Sequence, residues 1–203
     1  MPSPSDPDGH LRMTKGRMET FSDGVIAILI TIMVLELKVP HGTEASALLP
    51  LVPELLTYAL SFAYLGIYWN NHHHMLHMVD RVNGKILWAN LHLLFWLSLI
   101  PFATGWMGEN HYAALPVAGY GIVLLLAAVG YLILQTTIIA HQGPNSKLRA
   151  AVGNDVKGKI SALSYSAAIP LAFVQTWISI ALYVFVALLW LVPDRRIESK
   201  LGG

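Results

Sequence analysis

The chain has 203 residues, of which 55% are hydrophobic and only 12% charged, with a formal net charge of +1 and no cysteine. A mean hydropathy of +0.54 over this length excludes an ordinary soluble domain and points to an integral membrane protein. Without cysteine there is no disulfide, thiolate nucleophile or cysteine metal site, and the near-neutral balance gives no reason to expect a nucleic-acid partner.

The opening "MPSPSDPDGH" is rich in Pro, Ser and Asp and reads as a disordered tail over residues 1–15. It has no apolar signal-peptide core, so the first apolar run is expected to stay in the protein. A membrane helix needs about 20 apolar residues. The first such span is expected over 18–39, closed by Lys38 and Pro40. The second runs over 48–72, with Pro50 and Pro53 suited to its first turn. The third covers 86–107 with a kink at Pro101, and the fourth 113–140, ended by "HQGPNSK". The apolar sequence from Ile160 to Val192 is about 50 Å as one straight helix, too long for one crossing. A break near Gln175–Thr176 makes it two short spans.

These elements define an all-α integral membrane protein with six transmembrane helices per subunit in one domain over 16–195, followed by a tail over 196–203. The charges agree with six. Of 13 Lys and Arg, twelve fall in the segments that even-numbered crossings place on one side; only Lys38 falls on the other. The positive-inside rule then puts both termini in the cytoplasm and the chain in the cell membrane as a multi-pass protein.

The first span, "RMETFSDGVIAILITIMVLELK", carries a carboxylate into its apolar run. On a helical wheel centred on Ile28, residues Arg17, Phe21, Gly24, Thr31, Ile32 and Leu35 fall within about 60°. Ser22 and Asp23 fall well away, at about 120° and 220°. A carboxylate in lipid is costly without partners. Two readings fit: Ser22 and Asp23 cap the helix start, or they enter a hydrogen-bonded knot with Arg17 and the polar groups of "YWNNHHHMLH" and "LWANLH". His73 and His77, four apart, invite a metal, but the stretch supplies no catalytic constellation around them, and no metal or other cofactor is expected. Gly119, Gly121 and Gly130 suit close helix packing, and the six Trp and eight Tyr suit interface belts and bundle packing.

"RMETFSD" fits Arg-x-x-x-Phe-Ser-Asp and resembles the signature that opens the first helix of the transmembrane-protein-175 type of potassium channel. "YWNNHH" (68–73) is similar to that family's second-helix Trp-x-Asn-His-His pattern, through Trp69, Asn71, His72 and His73. "NLHLLFWLSLIPF" (90–102) is similar to its third-helix run beginning with an Asn, here Asn90. The resemblance implies a potassium-selective cation channel that is no enzyme, built as a homotetramer around helix 1 and passing K⁺ through apolar rings. No carbonyl-filter sequence of the TVGYG kind is present. It implies rings at Ile28 and Leu35, with Thr31 or its neighbour Ile32 between them. It implies a network on Arg17, Phe21, Ser22 and Asp23 reaching the histidines and asparagines of helices 2 and 3, His73 and Asn90 foremost. The competing reading from the residues alone is a proton- or cation-coupled transporter that uses Asp23 and the helix-2 histidines as a relay.

Overall fold

The structure is a computed structural model, and it describes residues 14–79 and 81–191. The expected tails over 1–15 and 196–203 lie almost wholly outside these residues, as do Arg12, Asp80, Arg195, Arg196 and Lys200. Among the described residues the chain is helical throughout: α1 (Lys15–Leu35), α2 (Val52–His77), α3 (Gly84–Ser98), α4 (Ile100–Glu109), α5 (Ala114–Gln142), α6 (Lys147–Val152), α7 (Val156–Leu171) and α8 (Thr176–Leu191). A 3₁₀ segment, Ala45–Leu51, leads into α2, whose Pro53 sits in the first turn, where a missing N–H costs nothing.

The expected third span is two helices. The break comes at Leu99, two residues before Pro101, because proline disfavours helical backbone before it and cannot donate into the ladder. The long apolar run after residue 156 also divides: α7 stops at Leu171 just after Pro170, and α8 starts at Thr176. Helix α6 was not visible as an element in the sequence. It is a short helix between α5 and α7, capped by Ser146, whose Oγ accepts from Arg149 N. Four stretches are long and apolar enough to cross a membrane: 15–35, 45–77, 84–109 and 114–142. Helices α7 and α8, of 16 residues each, are shorter.

The helices pack in an alternating bundle. α5 is central, with α3 and α4 on one side and α7 on the other; α7 leads to α8, and α2 lies against α4. Cross-links show which ends meet. Lys15 Nζ donates to His77 O, Gln142 Nε2 donates to Met78 O, and Asn83 Nδ2 lies 3.0 Å from His141 Nδ1. These gather the start of α1, the ends of α2 and α5 and the start of α3 at one pole. At the other pole Lys38 pairs with Glu109 at 2.8 Å, which holds the ammonium above its ordinary pKa, and Tyr112 OH donates to Pro53 O.

Two cores fill the bundle. One joins α1, α2, α3 and α5 through Ile26, Leu65, Leu93 and Leu134; the other joins α2, α4, α5, α7 and α8 around Tyr64, Tyr120, Tyr165 and Tyr183. These four tyrosines are thus packing residues, with Tyr64 OH donating to Tyr183 O and Tyr183 OH to Val117 O. The glycines of α5 let helices pack closely, as the sequence suggested. A Cβ on Gly130 would stand 3.1 Å from the Leu93 backbone, and one on Gly121 would fall on the Tyr183 hydroxyl.

Candidate functional site

Helix α1 has two unlike sides. Met18, Ser22, Ile26, Leu29 and Met33 are buried, at the spacing of one helical stripe. The opposite stripe is bare: Phe21, Thr31 and Ile32 are exposed, Ile28 is 56% exposed and Leu35 81%. So five of the residues singled out on the sequence wheel share one face, as the 100° rotation requires. Arg17 lies on that same side, exposed, and does not join the buried contacts behind the helix.

Helix α1 begins at Lys15, and its cap is Thr14, whose side chain accepts from Arg17 N. Ser22 and Asp23 therefore stand in the third turn, which removes the capping reading. They face other helices instead. Ser22, fully buried, donates to Met18 O at 2.8 Å and accepts from Asn90 Nδ2 at 2.9 Å. Asn90 Oδ1 lies 2.7 Å from His72 Nε2. Since the Asn90 amide nitrogen already faces Ser22, its oxygen must accept, and His72 must carry its proton on Nε2. The chain of bonds then runs in one direction from α2 through α3 into the α1 backbone. His72 Nδ1 is left buried without a partner among the described residues. As a bare acceptor it costs less than an orphaned donor would.

The second bond off α1 is from Trp69 Nε1 to Asp23 Oδ1, 3.0 Å. The third is between Glu19 Oε1 and His73 Nδ1, 3.1 Å. His73 also stacks on Trp69 and His77, with ring centroids 6.2 Å and 6.4 Å apart. The histidine that meets Asn90 is thus His72, and His73 meets Glu19 instead. Adjacent residues on a helix point 100° apart, so they cannot serve one partner. Asn71 is not brought to this site: its amide returns to Ile67 O, one turn back on α2.

Two groups at the site carried no sequence signal strong enough to single them out. Glu19 occupies one of the free positions inside the Arg-x-x-x-Phe-Ser-Asp pattern. A second buried knot, Thr104 Oγ1 to Ser61 Oγ at 2.6 Å and Ser61 Oγ to Tyr120 OH at 2.9 Å, joins residues from three helices that are far apart in the chain.

The exposed Thr31 hydroxyl donates to Ile28 O at 2.9 Å. Its proton is thereby committed to the helix, and its lone pairs face outward on the bare stripe.

The fold and the site define a class: a multi-pass helical membrane protein whose first helix is fastened by polar bonds on one side and bare on the other. Residues 17–101 match the model of the endosomal/lysosomal potassium channel TMEM175 family. A potassium channel of Chryseobacterium sp. is 56% identical over 189 residues, covering 93% of this chain and 98% of that protein. A potassium channel of Streptomyces collinus is 31% identical over 85% of this chain and 89% of its own. The crystal structure of a lysosomal potassium-selective channel TMEM175 homolog from Chamaesiphon minutus superposes with a TM-score of 0.77 at 28% identity, over 88% of this chain and 96% of that one. The chain belongs to the TMEM175 family of ion channels, which is not an enzyme family.

Proposed function

We propose that this chain is one subunit of a potassium-selective channel, with six spans, both termini in the cytoplasm, and four copies arranged around α1. The observation that carries the reading is the bare stripe of α1. It runs from Phe21 to Leu35 on a helix whose other side is buried, with Ile28, Thr31 and Leu35 about one turn to two turns apart along it. A stripe of this kind, repeated by symmetry, encloses an axis lined by apolar rings with a hydroxyl ring between them. The relatives named potassium channels support the choice of ion.

The mechanism follows from dehydration. A narrow apolar ring at Ile28 or Leu35 cannot replace the water that an ion carries, and potassium gives up that water more readily than sodium. Thr31 lies between the rings, and its outward lone pairs compensate part of the loss. The same rings close by dewetting when they narrow slightly. Ile32, next to Thr31 on the stripe, shapes the space around the hydroxyl. The bonds behind α1, through Ser22, Asp23 and Glu19, set its rotation and so keep Ile28 on the axis.

Downhill potassium efflux from liposomes holding the purified protein tests this, with Ile28→Asn beside the wild type. Efflux that is larger or less selective in the variant is expected. No efflux from wild type, with uptake driven by an imposed proton gradient, moves the function to a coupled transporter centred on Asp23. The selectivity step has its own test: Thr31→Ala should shift the reversal potential in mixed potassium and sodium towards non-selective behaviour. An unchanged reversal potential removes Thr31 from the mechanism.

A further inference from the structure

Away from α1, a cleft of about 550 Å³ opens between α2, α5 and α7 and reaches the pole where α5 ends and α7 begins. Its size is that of a small-molecule site, and its chemistry changes along its length. The deep end is walled by Tyr64, Tyr68, Ala128 and Ala162; the mouth carries Arg149, Lys159 and Asp155. Both cations are exposed, and neither pairs with a carboxylate among the described residues. Among the described residues the one acid lining the mouth is Asp155, whose Oδ1 accepts from Gly158 N at 3.1 Å and caps α7. With two cations to one carboxylate, the described residues of the mouth carry a net positive charge. Beside it Trp190 donates to Ser161 Oγ, with the Lys157 ammonium 5.7 Å from the Trp190 ring.

Between mouth and deep end sits Gln135. It is only 5% exposed, it lines the cleft, and none of the described residues hydrogen-bonds its amide. The amide itself is not among the fully buried polar atoms left without a partner, so it stays accessible from the cleft. Here its free groups face an open space rather than packed side chains. The cleft also continues onto the outer surface of α5, where Val129 and Leu132 are exposed apolar residues on a helix long enough to cross the membrane.

We propose that this cleft binds an anionic glycerophospholipid: the phosphate between Arg149 and Lys159, a glycerol-ester carbonyl on the Gln135 amide, and one acyl chain along Leu132 and Ala162. Free phosphate satisfies only the mouth. The apolar length beyond Gln135 and its opening onto an apolar helix face select an amphiphile. Basic pockets between membrane helices bind acidic lipids in this way. The site uses none of the α1 residues, so it stands or falls apart from the channel mechanism.

The test is thermal unfolding of the full chain in neutral detergent, titrated separately with dioctanoyl phosphatidylglycerol, dioctanoyl phosphatidylcholine, the glycerophosphoglycerol headgroup and inorganic phosphate. A ligand that binds only the folded state raises Tm. Phosphatidylglycerol should raise it saturably, and the other three should not. The double variant Arg149→Gln/Lys159→Gln changes exposed side chains only, and it should weaken the apparent affinity about thirty-fold, from two lost charge contacts. Gln135→Leu should weaken it without changing the preference for the anionic headgroup, and Ala162→Phe should abolish it by filling the deep end. An equal rise with phosphatidylcholine overturns the proposal, as does an equal rise with headgroup or phosphate alone. No rise with phosphatidylglycerol, or an unchanged affinity in the double variant, overturns it as well.

Discussion

Ser22, Asn90 and His72 are a relay of donors with one direction, and each link depends on the next. Replacing Asn90 with Leu removes the acceptor for His72 Nε2 and the donor to Ser22 together. A buried imidazole is then left without any partner, a loss of about 1–3 kcal/mol. The expected outcome is a lower Tm in detergent for Asn90→Leu, with a smaller fall for Ser22→Ala, which leaves only the Asn90 amide short of a partner. Asp23→Asn keeps an oxygen for Trp69 and should be milder than Asp23→Leu in the same assay, because a neutral acceptor still satisfies the indole. The members of this site were legible in the sequence to different degrees. Ser22, Asp23 and Asn90 stand in motifs, and the α1 wheel separates the polar pair from the bare stripe. The choice of His72 over His73 was not legible. It depends on the rotation of α2, and a helix apolar nearly all round has no periodicity that reports its rotation.

Among the elements, α5 shows most plainly what a missing side chain does. A Cβ on Gly121 would fall on the Tyr183 hydroxyl, and one on Gly130 would press on the Leu93 backbone. Gly66 in α2 has nothing within 4 Å of the same position. Alanine should therefore act with opposite signs. Gly66→Ala gains up to about 1 kcal/mol of helix propensity. Gly121→Ala and Gly130→Ala lose more than that gain, because a buried ring or a backbone has to move. Thermal unfolding of the three variants side by side checks the contrast. The glycines were visible in the sequence as candidates for close helix packing, and the interruption near Pro101 followed from proline chemistry, whereas the break before Thr176 was legible from length alone and Pro170 gave no signal of its own. The short α6 was not visible: six residues with a serine cap are too few to show a helical period.

For the molecule as a whole, the proposed channel requires the bare side of α1 to converge on an axis shared by several copies. The absence of cysteine makes this directly measurable. A lone Leu35→Cys should form an oxidised covalent dimer efficiently if α1 helices converge on an axis. Leu163→Cys on α7 is similarly exposed, at 73%, and should form it poorly. Equal cross-linking at both positions would count against convergence of α1.

Among the described residues, the strong polar bonds that tie α1 to another helix lie in its first nine residues: Lys15 to His77, Glu19 to His73, Ser22 to Asn90 and Asp23 to Trp69. Beyond Asp23 the helix runs another twelve residues, about 18 Å, held by apolar packing and one long Thr104-to-Met33 sulfur contact. In mechanical terms α1 is a beam clamped hard at its root and tied past its tip, among the described residues, only by the exposed Lys38–Glu109 pair. A small tilt at the clamp is magnified toward the tip, so Leu35 travels farther than Ile28 for the same rotation. Amide hydrogen exchange along α1 should accordingly rise from the Ser22 turn to the Leu35 turn, and Asn90→Leu should quicken the tip more than the root.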